Sequence, residues 1–478
     1  MKMIIGGRSA DAGDGAVQNV INPATHGTID TVPMATKEDM ASALAHARQG
    51  FKAWSKVPLH RRIEAIYAFE ELFLGRREEL ARLSMQEAGK TRGLAEGEIR
   101  ITAALIRNFC EAARSLGGET FAPGNHPFVE KDLVLTVREP WGVVLCLLPF
   151  NNPIELYVQK VVPALLMGNA VIVKPSSATP LSNIRMTELL LQSGVEATAV
   201  QIITGSGSLV AREMVAAREV DLVSLTGSTE VGIQVARNCA THLHRVSLEL
   251  GGNDALIILE DADLELAVNE ALAGRHLNAG QICCASKRFL VQRRIVEPFT
   301  VRLLEGLQKI RVGDPQDERT TYGPLISEAA AIEVERQIQH AVTQGARLRF
   351  GGRRFNRTFI EPTLLTDVQA HMDIARDMEV FGPVWPIIGF ESVEEAIALA
   401  NSSVYGLSSG VITRDTGQAL RIAQALRAGC CVLNGSGLYR SADQPFGGPG
   451  LSGIGREGGR FTLEEMSQLK TIVFKNQF

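Results

Sequence analysis

Residues 143–148, Val-Val-Leu-Cys-Leu-Leu, and residues 170–173, Ala-Val-Ile-Val, are short apolar runs on either side of a longer helical segment. Apolar runs of this length, bounded by turn residues, are typical of buried strands. A strand, a helix and a second strand in this order predict a βαβ crossover, which joins parallel strands. This stretch therefore places the chain in the α/β class.

The same alternation continues towards the C-terminus. Further apolar runs at 200–203, 222–226 and 246–250 predict, with the first two, an open parallel sheet. A second series follows, with strand candidates at 255–258, 288–292, 384–390, 407–412 and 430–434 and helices at 263–277, 327–344 and 415–427. We therefore expect a second α/β domain.

Other segments fall outside this alternation. Residues 37–118 have apolar residues at the three-to-four spacing of a helical layer, and residues 133–138 have the composition of a strand. Residues 446–459 are half glycine, and we expect a structured loop there. Residues 469–474 predict a strand without an obvious local partner. Because an exposed apolar edge favours pairing with another chain, we expect this strand to pair across a subunit boundary.

Composition and charge argue against several classes of function. The 478 residues carry a formal net charge of −4 and no run of Lys or Arg, which argues against nucleic-acid binding. We expect no membrane span, since no apolar stretch approaches the roughly 18 residues needed, and no signal peptide. The 7 cysteines are odd in number and include two adjacent pairs, which favours a reducing, cytoplasmic compartment. No ligand cluster is apparent, so we predict no metal.

Cys283 is the candidate nucleophile. It lies in Gly280-Gln281-Ile282-Cys283-Cys284, which follows a break after a predicted helix. Main-chain amides and short side chains can converge on a reacting atom at such a turn. Most cysteines are small buried hydrophobes, and Cys110, Cys239, Cys430 and Cys431 fit that interpretation.

Two polar groups follow predicted strands. Asn151 lies in Pro149-Phe150-Asn151-Asn152-Pro153, where an amide could stabilise an oxyanion or simply cap the next helix. Glu249 precedes Leu250-Gly251-Gly252. Its carboxylate could be a desolvated general base with a raised pKa, or an exposed strand end.

The dinucleotide fingerprint Gly-x-Gly-x-x-Gly is absent, because Gly205-Ser206-Gly207 is followed by Val at position 210. Two other strand ends could meet phosphate or ribose, namely the segments 168–177 and 226–232. The helix after Gly227 would present free amides to a pyrophosphate.

The ordered motifs together resemble the NAD(P)-dependent aldehyde dehydrogenase superfamily over nearly the whole chain. They are 149–153, Lys174-Pro175-Ser176, 227–230, 249–252, 280–283, Glu379-Val380-Phe381-Gly382-Pro383 and Pro445-Phe446-Gly447-Gly448. The resemblance implies an open Rossmann-like cofactor domain of 1–117 and 140–251 and an α/β catalytic domain of 252–447. It also implies a small β oligomerisation element with the C-terminal tail, 118–139 and 448–478, in a homodimer or homotetramer.

The resemblance also implies roles for individual residues. Cys283 would attack an aldehyde, Asn151 and the Cys283 amide would hold the oxyanion, Glu249 would activate the deacylating water, and Lys160 would lie near the site. NAD or NADP would contact Pro149, Phe150, Lys174, Ser176, Ser177, Gly207, Gly227, Ser228, Leu250, Gly251, Glu379 and Phe381. The small-molecule aldehyde would contact Asn152, Gln159, Leu277, Ile282, Cys284 and Phe446.

Departures from the family pattern refine these expectations. Many NAD-preferring members have Glu where this chain has Ser177, which leaves room for a 2′-phosphate, so we expect NADP to be accepted or preferred. Asn152, Gln159 and Leu277 replace frequent aromatic residues, which favours a small, polar or hydroxylated aldehyde.

Leu277 also lies where succinate-semialdehyde dehydrogenases usually have an arginine for the distal carboxylate. The leucine argues against a dicarboxylic semialdehyde as substrate, unless Arg275 or Arg440 binds the distal carboxylate instead. A CoA-acylating dehydrogenase is an alternative that Glu249 disfavours. A catalytically silent member is a second alternative. A cysteine hydrolase is a third, but it lacks a histidine in a suitable motif.

Overall fold

The computed structural model describes residues 1–476. Four helices fill the region 37–118, as the apolar spacing predicts, and the others alternate with strands. The helices are α1 Lys37–Trp54, α2 Leu59–Gly75, α3 Arg77–Ala88, α4 Arg92–Ser115, α5 Pro153–Leu166, α6 Pro180–Gln192, α7 Gly207–Glu213, α8 Thr229–Cys239, α9 Leu264–His276, α10 Val296–Leu307, α11 Glu328–Thr343, α12 Val393–Asn401, α13 Thr416–Ala425 and α14 Gly459–Glu465.

The strands form two large sheets and three small ones. They are β1 Met3–Ile5, β2 Arg8–Ala10, β3 Val17–Ile21, β4 Thr28–Pro33, β5 Thr120–Phe121, β6 Leu133–Pro140, β7 Val143–Leu147, β8 Ala170–Lys174, β9 Val200–Ile202, β10 Leu222–Thr226, β11 Arg245–Glu249, β12 Asp254–Ile258, β13 Ser286–Gln292, β14 Arg347–Phe350, β15 Arg354–Phe355, β16 Phe359–Ile360, β17 Thr363–Thr366, β18 Val384–Phe390, β19 Ser409–Ile412, β20 Val432–Leu433, β21 Gly453–Ile454 and β22 Ser467–Phe474.

The first large sheet contains all five strands predicted from the first apolar series. They run parallel in the order β9-β8-β7-β10-β11. This is the order of the first five strands of a Rossmann fold. The direction in which successive strands are added to the sheet reverses between β7 and β10. A crevice therefore opens at the carboxyl ends of these strands, where ligands bind in open α/β sheets.

Three short strands extend this sheet without having been predicted. The hairpin of β1 and β2 adds antiparallel to β9, and β21 adds antiparallel to β11. They have only two or three residues each, too few for a periodic pattern. The glycine-rich segment 446–459 is a structured loop, as expected, because it supplies β21.

The second large sheet has the order β14-β17-β18-β13-β12-β19-β20. Its five predicted strands are all present, although β19 and β20 are shorter than the apolar runs suggested. β12 and β13 lie at its centre and have buried apolar residues on both faces, covered by α9 and α10 on one side. The turn that carries Cys283 leads into β13 of this sheet.

Residues 469–474 form a strand, as predicted, and this strand has a distant partner in its own chain. β22 pairs antiparallel with β6 along eight residues, from Ser467 opposite Pro140 to Phe474 opposite Leu133. More than 300 residues separate the two strands in sequence, so no local pattern could reveal the pairing. β22 is nevertheless an edge strand among residues 1–476, and its Leu469 and Val473 side chains are exposed.

The helical layer fixes the start of α5, which follows the Asn151 segment. Oε1 of Glu98, on α4, accepts hydrogen bonds from the backbone amides of Ile154 and Glu155 at 2.9 and 3.2 Å. These are first-turn amides that have no partner within their own helix. Lys90 lies 2.8 Å from the same carboxylate and neutralises it. The active-site end of β7 is thus held by a buried ion pair from another layer.

Candidate active site

A cavity of about 1130 Å³ lies at the carboxyl ends of the parallel strands. Its walls come from the turns after β7, β8, β10 and β11, from α7 and α8, and from the second α/β unit. Asn151, Glu249 and Cys283, predicted from separate motifs, all line this one cavity. Cavities that bind cofactors are of this size and are usually mostly apolar.

Most residues expected at the cofactor also line the cavity. They are Pro149, Phe150, Lys174, Ser176, Gly207, Gly227, Ser228, Leu250, Gly251, Glu379 and Phe381. Ser177 does not, because it is exposed and its hydroxyl donates to the Gly205 carbonyl at 3.3 Å. Gly251 allows the Glu379 carboxylate to lie close to the backbone, since a Cβ there would lie 2.3 Å from Glu379 Oε2.

The turn before Cys283 has an unusual backbone. α9 ends at His276, and Asn278 and Ala279 then have φ values of 50° and 55°. Residues other than glycine seldom adopt this left-handed conformation, and they do so where the surrounding structure enforces it. Gly280 also has a positive φ, of 76°, and a Cβ there would lie 2.4 Å from the Gly382 carbonyl oxygen.

Gln281 holds this turn in place. Its Nε2 donates to the Asn278 carbonyl at 3.0 Å, and its Oε1 accepts from the Ile326 amide at 2.9 Å. The Asn151 amide donates to the Gln281 carbonyl at 3.1 Å, whereas Asn151 Oδ1 is buried without a partner. The expected oxyanion donor therefore lies directly against the Cys283 turn.

Glu249 and Cys283 influence each other's protonation. Burial, followed by the charge of Cys283, raises the pKa of Glu249 well above its ordinary value. A hydrogen bond to Cys284, together with burial, raises the pKa of Cys283, which the charge of Lys287 and a hydrogen bond from Glu249 lower. The raised pKa expected for the Glu249 carboxyl is therefore present, and its cause is desolvation.

Lys160 is fully buried and does not line the cavity. Its Nζ lies 2.6 Å from Glu457 Oε1 and 3.1 Å from Ser224 Oγ. Glu457, which the sequence interpretation did not select, is one of the charges that raise the pKa of Glu249. The two acids and Lys160 thus form one buried electrostatic group beside the cavity.

Lys287 is a second residue that the sequence interpretation missed. It is 2% exposed, its Nζ donates to the Cys283 carbonyl, and the same nitrogen lies 3.2 Å from Glu379 Oε1. Glu379 also accepts a hydrogen bond from the Gly252 amide at 3.2 Å. The signal available in the sequence was a lysine four residues after the candidate nucleophile. A lysine in a strand is usually exposed to solvent, so the sequence alone did not indicate a role.

Three of the residues expected at the substrate, namely Ile282, Cys284 and Phe446, lie beside Cys283. Cys284 and Phe446 pack with Leu407, and Ile282 lies against them. Asn152 Oδ1 accepts a hydrogen bond from Lys90 at 2.5 Å, so part of its polarity is already used. Gln159 is buried with Oε1 unpartnered, and Leu277 is half-buried.

Within residues 1–476, no group of three or more His, Cys, Asp and Glu side chains is arranged to hold a metal ion. No helix in the same range is long and apolar enough to span a bilayer.

The chain matches the Aldehyde dehydrogenase family model over residues 10–472. It is 35% identical to the succinate-semialdehyde dehydrogenase [NADP(+)] GabD of Escherichia coli (strain K12), covering 98% of this chain and 96% of that protein. It is 36% identical to a 3-sulfolactaldehyde dehydrogenase of Pseudomonas putida, covering 97% and 94% respectively. The structure of Staphylococcus aureus betaine aldehyde dehydrogenase (betB) in complex with NAD+ superposes with a TM-score of 0.96 at 36% identity, covering 100% and 95%.

The fold and these matches define the class of protein: the chain belongs to the aldehyde dehydrogenase family. It is an oxidoreductase that acts on aldehydes.

Proposed function

We propose that this enzyme oxidises a small aldehyde with a polar or charged distal group to its carboxylic acid, through a thioester on Cys283. One observation carries the proposal: Asn151, Glu249 and Cys283 share a single cavity with the residues expected to hold a dinucleotide. Each of the three side chains has a distinct task in that chemistry.

Cys283 is the nucleophile. Its thiolate attacks the aldehyde carbonyl carbon, and the carbonyl oxygen becomes an oxyanion. Asn151 Nδ2, which now donates to the Gln281 carbonyl, turns to this oxygen, together with the Cys283 backbone amide. The fixed turn from Asn278 to Gly280 positions the Cys283 amide, and Asn278 Nδ2 holds the Asn151 backbone by donating to its carbonyl at 3.2 Å.

The cofactor is NAD or NADP, and the cavity fits either. Its volume suits a dinucleotide, and Gly251 lets the Glu379 carboxylate approach the backbone beside the cavity. When bound, the nicotinamide accepts the hydride that leaves the reacting carbon. Lys174 would contact the adenosine ribose and Glu379 the nicotinamide ribose. The small Ser177 favours acceptance of a 2′-phosphate, and hence of NADP.

Glu249 is the base for hydrolysis. Burial raises its pKa, so the carboxyl can take a proton from water near neutral pH and release the acid product from Cys283. Lys160 and Glu457, as a buried ion pair, set the charge around Glu249. A carboxyl in this position favours water over CoA as the acyl acceptor.

The polar or charged character proposed for the distal group rests on the names of the relatives and on the polar residues of this chain. The two sequence relatives are named for succinate semialdehyde and sulfolactaldehyde, whose distal groups are anionic, and the structural relative is named for betaine aldehyde, whose distal group is a quaternary ammonium. In this chain the polar Asn152 and Gln159, with the Phe446 ring, are the residues that we propose to face the distal group.

An absorbance assay at the NAD(P)H band tests the proposal with aldehydes of matched length that carry carboxylate, sulfonate, ammonium or alkyl ends. We expect turnover with at least one polar aldehyde, and free carboxylic acid as product without CoA. A product that forms only in the presence of CoA, as an acyl-CoA, would contradict the hydrolytic mechanism. No turnover with any aldehyde would contradict the oxidation itself.

Assembly and location complete the proposal. The exposed apolar edge of β22 favours pairing with a second copy, in a homodimer or homotetramer. Free thiols throughout residues 1–476 favour the reducing cytoplasm. Light scattering at several protein concentrations and cell fractionation would test the two statements.

A further inference from the structure

Arg440 is the cationic side chain that lies against the substrate side without a partner of its own. Its guanidinium carbon lies 3.6 Å from the centroid of the Phe446 ring. Phe446 in turn packs with Cys284, against Cys283 and Ile282. Arg440 is therefore separated from the candidate nucleophile by little more than one aromatic ring.

The hydrogen-bonding capacity of Arg440 is unused. Among residues 1–476 its guanidinium makes no hydrogen bond and no ion pair, and Nη1 is buried. A buried guanidinium nitrogen without an acceptor costs free energy that an incoming anion would recover. Stacking on Phe446 fixes the plane of the guanidinium, which presents its donors in the fork that matches a carboxylate or sulfonate.

Arg275, the other arginine considered from the sequence, is already committed. It is 1% exposed, its Nε donates to the Val384 carbonyl at 2.9 Å, and its Nη2 donates to the Val380 carbonyl. These bonds tie α9 to the first residue of β18 and to the turn before it. Position 277 holds a leucine, which cannot bind an anion. The structure therefore shows that, among residues 1–476, Arg275 is already hydrogen-bonded whereas Arg440 is not, a distinction that the sequence could not make.

The nearby acid, Glu155, forms no ion pair with Arg440 in residues 1–476. Glu155 faces the same region, since the charge of Arg440 is one of the influences on its pKa. Burial is the largest influence and raises that pKa, which favours the neutral carboxyl. Asn152 Nδ2 also donates to Glu155 Oε2 at 3.3 Å. Because burial raises the pKa of Glu155, its repulsion of an anion held by Arg440 is weakened.

We propose that Arg440, stacked on Phe446, binds the distal anionic group of the substrate and makes this enzyme selective for aldehydes that end in a carboxylate or sulfonate. This proposal rests on the proposed oxidation of a polar aldehyde and names the charge of its distal group. The recognition uses a different position from the missing arginine at 277. It assigns Arg440 a role in specificity and none in the chemical steps at Cys283.

The test compares four probes: 4-oxobutanoate, its neutral methyl ester, sulfoacetaldehyde and the cationic betaine aldehyde. We expect wild-type enzyme to have a lower KM for at least one of the two anions than for the ester and the cation. Arg440→Met should raise the KM for the preferred anion by about tenfold or more, because a charge-assisted bidentate pair is lost. Its KM and kcat for the methyl ester should change by less than about twofold.

Controls separate recognition from damage. Arg440→Lys should recover part of the affinity, because it restores the charge without the planar fork. Arg302→Met removes an equal charge from an exposed position on α10, outside the cavity, and should leave all four KM values unchanged. Succinate, a product-like dianion, should inhibit wild-type enzyme competitively and Arg440→Met about tenfold more weakly.

Equal losses for the ester and the anion in Arg440→Met would overturn the inference, and so would unchanged KM values for the anions. Preference of wild-type enzyme for betaine aldehyde over both anions would overturn it while leaving aldehyde oxidation intact. Absence of turnover with all four probes would remove the proposed function. In that case, succinate binding measured by calorimetry still decides whether Arg440 holds an anion: equal affinities in wild type and Arg440→Met would refute it.

Discussion

Nζ of Lys287 lies 3.2 Å from Oε1 of Glu379 and also donates to the backbone carbonyl of Cys283. One buried ammonium thus links the turn of the candidate nucleophile to the carboxylate expected at the nicotinamide ribose. Its charge is one of the influences that lower the pKa of the Cys283 thiol. Lys287 therefore couples two halves of the site that the sequence presents as separate motifs.

Replacing Lys287 by Met should slow alkylation of Cys283. Without the ammonium, the pKa of the thiol rises further, and a rise of one unit makes the thiolate about tenfold scarcer at a given pH. The rate of iodoacetamide modification against pH measures this, and the whole curve should move to higher pH. Lys287→Arg keeps the charge and should keep most of the reactivity. An unshifted curve for Lys287→Met would remove the electrostatic role.

The roles proposed for Cys283 and Glu249 predict different kinetic failures. Cys283→Ala should abolish oxidation, because no thioester can form. Glu249→Gln should give a single burst of NAD(P)H equal to the enzyme concentration, followed by a turnover slower by about a hundredfold or more, because no base activates water. Stopped-flow absorbance measures both. Steady turnover at the wild-type rate in either variant would contradict the scheme.

Removing only Lys160 from its ion pair with Glu457 should destabilise the protein more than removing both charges. Lys160→Met leaves a buried carboxylate unpaired and should lower the free energy of unfolding by about 3 kcal/mol. Adding Glu457→Gln removes that charge and should recover most of the loss. Urea unfolding followed by fluorescence gives the free energies of wild type, Lys160→Met, Glu457→Gln and the double variant. If the double variant is as unstable as the sum of its single changes, the pair is not coupled.

Cofactor preference should depend on Ser177. Ser177→Glu places a carboxylate where the 2′-phosphate is expected, so kcat/KM for NADP should decrease by about tenfold or more from charge repulsion. The value for NAD should change little, because NAD has a hydroxyl there. Ser177→Gln is the matched control of similar size without the charge. Equal decreases for both cofactors would refute this role for Ser177.

Lys174 should give NADP binding its own pH dependence. Burial lowers the pKa of Lys174 to about 8, so this lysine is charged below that pH and loses its charge as the pH rises through it. The KM for NADP should therefore rise by about tenfold between pH 7 and 9 if Lys174 pairs with the 2′-phosphate. The KM for NAD should rise much less, and Lys174→Met should flatten the NADP curve. Parallel curves for the two cofactors would contradict the pairing.

The α/β class could be predicted because its signals are local. The apolar runs that became β7, β8, β10 and β11 need both faces buried, and this requirement is written in four to six consecutive residues. The turn at Cys283 and the Asn151 and Glu249 segments are also local, since each follows the end of one element. The Asn151 and Glu249 segments meet because β7 and β11 are parallel strands of one sheet, whose carboxyl ends lie at one edge. The Cys283 turn precedes β13 of the second sheet, and only the packing of the two units brings it to the same cavity.

Contacts between distant residues were decided only by the tertiary structure. The pairing of β22 with β6, the ion pair of Lys160 and Glu457, and the bond from Lys287 to Glu379 each depend on how the chain packs. The choice between Arg275 and Arg440 was of the same kind. Both are arginines in plausible segments, and only packing shows that Arg275 is bonded to backbone carbonyls whereas Arg440 is free beside Phe446. The sequence by itself determined the fold class and the reacting groups, because these depend on neighbouring residues, and the tertiary structure decided which charges surround them.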